Sequence, residues 1–208
     1  MTYFIHYEPP GHTSDDFIEL DGDMLKVVPE DQSVDVGVTP PLGTHAFRCG
    51  RWVSTEFLPT QIRAKGRKRR LPDFGRCARG QFVSAAFRDI VESLEPGAHQ
   101  FVPVDVLWKD GSSAGEFYWF ATGRRLQTLA LDLLYPPLKP NKSNWTDIGE
   151  DGRLVKNARH VFDSKLIGDA HVWSDLHTDG YIAVSDRFKA LVEEAGLIGI
   201  RFQERETV

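Results

Sequence analysis

The stretch Tyr181–Phe202, YIAVSDRFKALVEEAGLIGIRF, predicts a strand, a helix and a second strand in close succession. Its first residues are apolar and favour a strand. Ser185 comes next, and its hydroxyl can accept a hydrogen bond from the free N–H groups of a first helical turn, so it is the predicted N-cap. Apolar side chains then recur with the period of a helix, at Phe188, Leu191, Val192 and Ala195. Gly196 can close the helix in the left-handed conformation, and the residues after it alternate like a strand.

The same pattern occurs earlier in the chain, in Phe82–Phe101. A shift of 101 positions lays Ser84 on Ser185 and Phe87 on Phe188 without a gap. Two interpretations are open. Any capped amphipathic helix between two strands could converge on this pattern, or the chain contains a duplicated unit whose two copies pack into one core. Two copies are too few for a solenoid, which needs about three repeats or more.

The remaining strand, helix and turn signals predict an α+β fold, with mixed or antiparallel sheets, a few helices and the two similar strand–helix–strand units. Residues 1–75 are predicted as a β-rich N-terminal portion, with strands at Thr2–Tyr7 and Arg51–Leu58. Residues 76–208 are predicted as an α+β domain. The boundary between the two is placed in residues 63–75.

Dense positive charge marks that boundary, in the run RAKGRKRR at Arg63–Arg70. Such a run can be a nucleic-acid patch or a targeting signal. A solvated loop is the favoured interpretation, because six basic residues beside a glycine, flanked by Pro59 and Pro72, have nothing with which to pack. The acidic remainder of the chain could also neutralise it.

The composition bounds the classes of function. Hydrophobic residues make up 41% and charged residues 26% of the 208 residues, which is typical of a soluble globular protein. The net charge of −5 argues against a nucleic-acid partner. The N-terminus lacks the pattern of a signal peptide, and no window is apolar enough for a membrane helix. Cys49 and Cys77 form neither a disulfide framework nor a metal knuckle, so reduced thiols in the cytoplasm are expected.

Histidine and aspartate residues are concentrated near the C-terminus, at His160, Asp163, Asp169, His171, Asp175, His177 and Asp179. The spacing Asp175-x-His177-x-Asp179 could offer carboxylate and imidazole ligands to a metal. However, Thr178 and Gly180 favour a loop, so no metal site is predicted. Trp173 is expected either in the core or in an aromatic contact patch.

No catalytic constellation stands out from its structural explanation. Ser84 and Ser185 are explained as helix caps, and neither lies in a nucleophile-elbow pattern. The sequence contains no P-loop and no GxGxxG motif. Carboxylates are plentiful, but no pair is marked for acid–base work. We therefore predict no catalytic residue and no cofactor.

Several segments resemble the Imm11 (DUF1629) family of bacterial immunity proteins. The segments that carry the resemblance are Gly97–Phe101 with Pro103-Val104, Ile167–Asp175, Tyr181–Asp186 and Ala195–Phe202. The resemblance spans about residues 81–203 and concerns fold-type motifs. It implies a protein encoded beside a toxin of bacterial competition, which binds and neutralises that toxin. It supplies no catalytic residues.

The resulting hypothesis is a cytoplasmic immunity protein that inhibits a cognate toxin by direct contact, without enzymatic activity, nucleic acid or membrane. The predicted partner-binding residues are Trp173, Asp175, His177 and Asp179. The alternative is an enzyme of unrecognised type with a site near His171, Asp175, His177 and Asp179. A structural or adaptor module without a toxin is a third possibility.

Overall fold

The computed structural model describes residues 1–8, 17–33, 46–47, 49–68, 70–78, 80–139, 145–148, 153–178 and 180–208. The elements of these residues are, in chain order, β1 (Thr2–Tyr7), β2 (Phe17–Glu19), β3 (Gln61–Ala64), β4 (Phe74–Cys77), β5 (Gly80–Ser84), α1 (Ala85–Leu94), β6 (Gln100–Leu107), β7 (Ser113–Ala121), β8 (Arg125–Leu126), β9 (Val161–Phe162), α2 (Ser164–Ile167), β10 (Val172–Asp175), β11 (Ile182–Ser185), α3 (Asp186–Glu194) and β12 (Ile200–Thr207).

The strands form two six-stranded sheets. The first sheet has the order β2-β3-β6-β7-β5-β4, and the second has the order β8-β10-β11-β1-β12-β9. Neighbouring strands are antiparallel except for three parallel pairs, β3–β6, β8–β10 and β9–β12. The predicted α+β fold with mixed sheets and few helices is confirmed.

Five strands have the same arrangement in both sheets. The series β4-β5-β7-β6-β3 of the first sheet matches β10-β11-β1-β12-β9 of the second, in order and in relative direction. The register agrees as well, because Phe82 lies opposite Trp119 and Ala183 lies opposite Phe4. This agreement favours the duplicated unit over convergence of a helix motif.

The two copies exchange their first strands. Strand β7 begins the second half of the chain but lies between β5 and β6 in the first sheet. Strand β1 begins the first half but lies between β11 and β12 in the second sheet. Each sheet is therefore complete only with a strand from the other half, and the two halves cannot separate without losing the centre of both sheets.

The two predicted helices form, with the predicted caps. The Ser84 hydroxyl accepts a hydrogen bond from Phe87 N–H at 3.3 Å, and the Ser185 hydroxyl accepts one from Phe188 N–H at 3.2 Å. Gly196 follows α3 with φ of 62°, a left-handed conformation that favours glycine. The predictions for both caps and for the helix end are confirmed.

A central hydrophobic cluster joins the facing sides of the two sheets and both helices. The Phe87 and Phe188 rings meet at its middle, edge to face, with centroids 5.5 Å apart. Their buried neighbours come from both halves and are Tyr3, Ile5, Phe74, Val83, Val91, Tyr118, Phe120, Val172, Ile182, Val184 and Val192. The core is thus shared by the two copies.

Two buried carboxylates form hydrogen bonds between the halves, each joining the end of one half's helix to residues at or next to the start of a strand of the other half. Asp73 precedes β4, and its carboxylate accepts hydrogen bonds from the Ser84 hydroxyl and from Ile198 N–H, both at 2.8 Å. Glu95 ends α1, and its carboxylate accepts hydrogen bonds from the N–H groups of His171 and Val172, each at 3.0 Å.

The N-terminal portion differs in part from the expectation. Strand β1 forms as predicted, but it pairs with C-terminal strands, while β2 and β3 pair in the first sheet. Strand pairing therefore crosses the predicted boundary at residues 63–75 in both sheets, and the boundary itself stays a prediction. The predicted strand at Arg51–Leu58 is wrong, because within it only Val53 forms a bridge, to Pro29.

The basic run packs more than expected. Arg63 and Ala64 lie in β3, and Ala64 is buried. Lys68 forms an ion pair with Asp110 at 2.8 Å, and Arg70 forms one with Asp73 at 3.2 Å. The prediction of a solvated loop is therefore wrong for the start of the run, since β3 continues into it.

Cys49 and Cys77 are free and buried, so neither forms a disulfide. None of the helices in the described ranges is long and apolar enough to cross a bilayer.

Candidate functional site

Two of the four predicted partner-binding residues lie inside the molecule. Trp173 is 0% exposed, and its indole N–H donates to the Thr128 hydroxyl at 3.0 Å. Asp175 is 2% exposed, and its carboxylate accepts hydrogen bonds from Thr128 N–H at 2.6 Å and from His177 N–H at 2.8 Å. In this conformation both side chains stabilise the second sheet and offer no surface to a partner.

The other predicted residues lie in or beside the loop after β10. His177 is half-buried, and Asp179 lies outside the described residues. His171, which the enzyme alternative invokes, bonds to the Ser185 hydroxyl at 2.8 Å, so it supports a helix cap at the opposite end of β10 from Asp175. Among the described residues there is no cluster of three or more histidine, cysteine, aspartate or glutamate side chains suited to a metal. Contact of His177 and Asp179 with a partner stays a prediction.

A cavity of about 340 Å³ opens on the outer face of the second sheet, the face turned away from the shared core. Its walls come from strands β1 and β12, from the residues before β9 and β11, and from the segment around residue 145. The lining residues are Phe4, Trp145, Thr146, Asp147, Ala158, His160, Thr178, Tyr181 and Arg205. The volume is in the range of pockets that hold small ligands or side chains.

Four of the nine lining residues carry aromatic rings that pack against one another. Phe4 stacks on Tyr181 with centroids 4.8 Å apart and tilts against His160 at 5.1 Å. Trp145 stacks on His160 at 4.7 Å with an interplanar angle of 2°. The Trp145 indole N–H donates to the Pro136 carbonyl at 2.7 Å, which fixes the ring in place. The rings thus lie beside the polar lining residues Asp147, Thr178 and Arg205.

Arg205 is the positive charge of the cavity. Its side chain is half-buried, and its Cζ lies 4.7 Å above the centre of the Phe4 ring. In the described part of the chain it forms no hydrogen bond or ion pair, and its Nε is buried without a partner. Burial lowers the pKa of the guanidinium from its ordinary value. The fold thus holds a cation whose donors are not satisfied from within.

His160 is the second buried polar group. It is 9% exposed, and its Nε2 has no hydrogen-bond partner among the described residues. Burial, and to a lesser extent the charge of Arg205, lowers the pKa of His160 to about 3. The ring is therefore neutral at physiological pH and adds no charge to the cavity.

The arrangement suits binding rather than proton transfer. A neutral His160 stacked on Trp145 has no carboxylate or nucleophile hydrogen-bonded to it in the described ranges. Asp147 lies in the same lining and carries one negative charge. A ligand with a hydrogen-bond acceptor can reach Arg205 between the aromatic rings. Arginine, tyrosine and tryptophan are enriched among the residues that contribute most to binding at protein interfaces.

Sequence reasoning missed this site, although it came close. Thr178 of the lining belongs to the predicted loop, Tyr181 follows that loop, and His160 is one of the histidines singled out in the sequence. The signal that could have found Arg205 is the shift of 101 positions, which lays it on Val104. Val104 is 4% exposed and lies in the core on the outer face of the first sheet. Aligning the two copies therefore places the charged Arg205 at a position where the other copy has a buried valine.

The comparisons with known proteins agree with the resemblance seen in the sequence. The model of a family described as immunity protein family (Imm11) matches residues 44–207. The match includes most of both copies and begins well before the stretch from residue 81 on which the resemblance rests. No curated protein matches the chain.

Proposed function

We propose, since the chain belongs to the Imm11 immunity protein family, that it neutralises a cognate toxin by binding it, one copy to one toxin, without turnover. The observation that carries the proposal is the match over residues 44–207, which is far more than half of the 208 residues. In this proposal the encounter takes place in the cytoplasm.

The cavity on the second sheet supports a binding role. It has three features that are typical of the energetically dominant part of an interface: aromatic walls, a half-buried arginine and partial shelter from water. Of its lining residues, Thr146 is exposed and Tyr181 is 42% exposed, so both can be reached from outside the molecule. We infer that this face of the molecule contacts the toxin.

Charge supports the encounter. The chain has a net charge of −5, and an acidic inhibitor suits a basic toxin because complementary charge speeds association and selects the partner. His177 and Asp179 flank Thr178, a residue of the lining, in the sequence, so they remain candidates for contact. Charge reversal at the buried Asp175 would instead break its hydrogen bonds to Thr128.

Co-expression tests the proposal. The gene next to this one is expressed in a heterologous bacterium, alone and with this chain, and growth is recorded. If that gene encodes the toxin, it arrests growth alone and does not do so when this chain is present. The purified pair should form a one-to-one complex with a dissociation constant in the nanomolar range or below, near −12 kcal/mol.

A control variant separates protection by binding from a mere decrease in toxin synthesis when a second protein is expressed in the same cell. A variant with Phe188→Ala, which removes a buried ring from the shared core, should protect less well, because its lower stability reduces the amount of folded chain. Growth arrest that persists with well-folded wild-type chain, or no complex between the purified proteins, would contradict the proposal.

A further inference from the structure

We propose that the cavity on the second sheet binds a carboxylate of the toxin, supplied by an aspartate or glutamate side chain, with the Arg205 guanidinium as its anchor. This inference rests on the proposed function, because it takes the toxin as the source of the carboxylate. It adds the chemistry of the anchor and the residue that carries it.

The first argument is the state of Arg205. A guanidinium has five N–H donors in a planar fork, and a half-buried charge without a partner is costly. Here the ring of Phe4 covers one face of the fork, and no acceptor within the described residues satisfies its donors. An anion placed in the cavity would supply the acceptors that the fold leaves out.

The charges around the cavity select a carboxylate over a phosphate. His160 is neutral and contributes no second positive charge. The negative charge of Asp147, which lies in the same lining and raises the pKa of Arg205 against the larger effect of burial, disfavours a doubly charged phosphate more than a singly charged carboxylate. One planar, singly charged group that can take two parallel N–H donors from an arginine is a carboxylate.

The walls suit the rest of an acidic side chain. The rings of Phe4, Tyr181 and Trp145 present apolar surface against which the methylene groups of aspartate or glutamate can pack. The cavity of about 340 Å³ has room for one such side chain and part of its neighbours. Exclusion of water between these rings strengthens the ion pair.

The first sheet shows that the scaffold does not require an arginine here. The position equivalent to Arg205 is Val104, which lies opposite Phe117 as Arg205 lies opposite Thr2. Val104 packs in a filled core. The scaffold thus accommodates valine at this position of one copy, whereas the other copy places there an arginine whose Nε has no hydrogen-bond partner among the described residues.

The test compares three variants with the wild-type chain. Arg205→Val installs the residue of the other copy, and Arg205→Lys keeps the charge but loses the planar fork. Arg201→Val is the matched control, because Arg201 is an exposed arginine on the same strand and face, whose ion pair with Glu8 is 3.5 Å long. Thermal unfolding and the affinity for the toxin encoded by the neighbouring gene are measured for all four proteins.

Arg205→Val is expected to unfold at the same temperature as the wild type or higher, and to bind the toxin about 30-fold more weakly or worse. Arg205→Lys should fall between the two. Arg201→Val should stay within about threefold of the wild type. A purely structural arginine would give the opposite signature, a lower unfolding temperature with unchanged affinity.

A second arm needs no toxin. The Nε–Hε signal of Arg205, assigned by its loss in Arg205→Val, is followed by NMR while the α-amide of N-acetylglutamate, which carries a single carboxylate, or the neutral N-acetylglutamine amide is added at constant ionic strength. The carboxylate should shift the signal saturably, and the amide should not. Equal responses to the two compounds, or full toxin affinity in Arg205→Val, would overturn the carboxylate anchor alone. A wild-type chain that fails to bind the toxin would overturn the proposed function as well.

Discussion

The outer faces of the two sheets share one backbone plan and differ in what covers them. In the first sheet Trp119 packs against Phe47, and its indole N–H donates to the Pro59 carbonyl at 2.7 Å. In the second sheet the equivalent position is Phe4, which is covered by Arg205 and Tyr181 beside a cavity. The outer face of the first sheet is covered by packed side chains, whereas the outer face of the second sheet borders a cavity.

Paired substitutions keep the two copies compatible with that plan. Opposite the large Phe82 in the first sheet lies Gly75, and a Cβ there would come within 2.3 Å of the Phe82 ring. In the second sheet the large residue is Trp173 and the small one is Ala183, at the same two positions. Each pair sets a large aromatic residue against a small one, with the two roles reversed between the copies. The comparison teaches that the two copies share strand order and register. Their side chains differ where different residues pack on the outer face of each sheet.

The largest expected effect is in the shared core. Phe87→Ala and Phe188→Ala each remove a fully buried ring and should each lower the free energy of unfolding by about 3–5 kcal/mol. Because the rings touch, the double variant should lose less than the sum of the two. Urea titrations measure all three. A cost below about 1 kcal/mol for one ring and above about 3 kcal/mol for the other would show that the core belongs to one copy.

The two carboxylate ties should differ in strength. Glu95 is deeply buried and also contacts His99 at 2.7 Å and Arg124 at 3.0 Å, so Glu95→Ala should cost about 3 kcal/mol or more. Asp73→Ala should cost less, about 1–2 kcal/mol, because its ion-pair partner Arg70 is largely exposed. Denaturant midpoints of both variants give the comparison, and equal costs would contradict it.

Glu95 also gives a pH signature. Burial alone would raise the pKa of this carboxyl, but the hydrogen bonds from His99 and from the His171 N–H and the charge of Arg124 outweigh burial and hold the pKa below 4.5. A depressed carboxyl pKa stabilises the fold above the unfolded value and loses that contribution as the pH falls through the folded value. The difference between wild type and Glu95→Ala should therefore shrink below about pH 4.5.

A smaller, acid-dependent effect belongs to the second sheet alone. His160, whose equivalent beside the first sheet is Thr60, has its pKa lowered from 6.5 to about 3 by burial and by Arg205. Protonation is therefore favoured in the unfolded chain, and stability should fall by up to about 1.4 kcal/mol per pH unit as the pH drops from 6.5 towards 3. Two further titratable residues of the same lining are Asp147 and Tyr181.

The variant His160→Phe isolates this contribution. Phenylalanine keeps a ring against Trp145 and cannot be protonated, so its free energy of unfolding should depend less on pH between 6.5 and 4.5 than that of the wild type. Identical pH profiles for the two proteins, measured by urea titration at constant ionic strength, would mean that His160 is not held neutral by the cavity.

The smallest effect is at the two caps. Ser84→Ala and Ser185→Ala should each cost about 1 kcal/mol, because each removes an acceptor from a first helical turn. The two hydroxyls have similar second partners, Asp73 at 2.8 Å and His171 at 2.8 Å, so the costs should agree closely. A change below about 0.3 kcal/mol in a denaturant titration would remove the capping assignment for that serine.

Much of the fold could be predicted from the sequence because local rules decide it. The cap at Ser185, the helical stripe and Gly196 each depend on neighbours a few residues away, and all three appear in the structure. The exchange of β1 and β7 could not be predicted, because pairing between the two ends of the chain leaves no local pattern. The same reason explains the failure at Arg51–Leu58, whose apolar residues pack without forming strands.

The site was harder to predict than the fold. A cluster of aspartate and histidine along the chain suggested Asp175, but that carboxylate is used inside the fold, on Thr128 and His177. The cavity brings together Phe4, His160 and Arg205, which are far apart in sequence or face one another only across strands. Only comparison of the two copies, position by position, points to Arg205.

The central claim is that the chain protects by binding and not by turnover. Its most direct test is a titration of toxin activity against this protein, at a toxin concentration well above the dissociation constant. The account predicts that activity falls linearly and ends at a sharp equivalence point near one copy per toxin. Full protection at far below one copy per toxin would show that the protein acts catalytically, on the toxin or on its product, and would contradict the account.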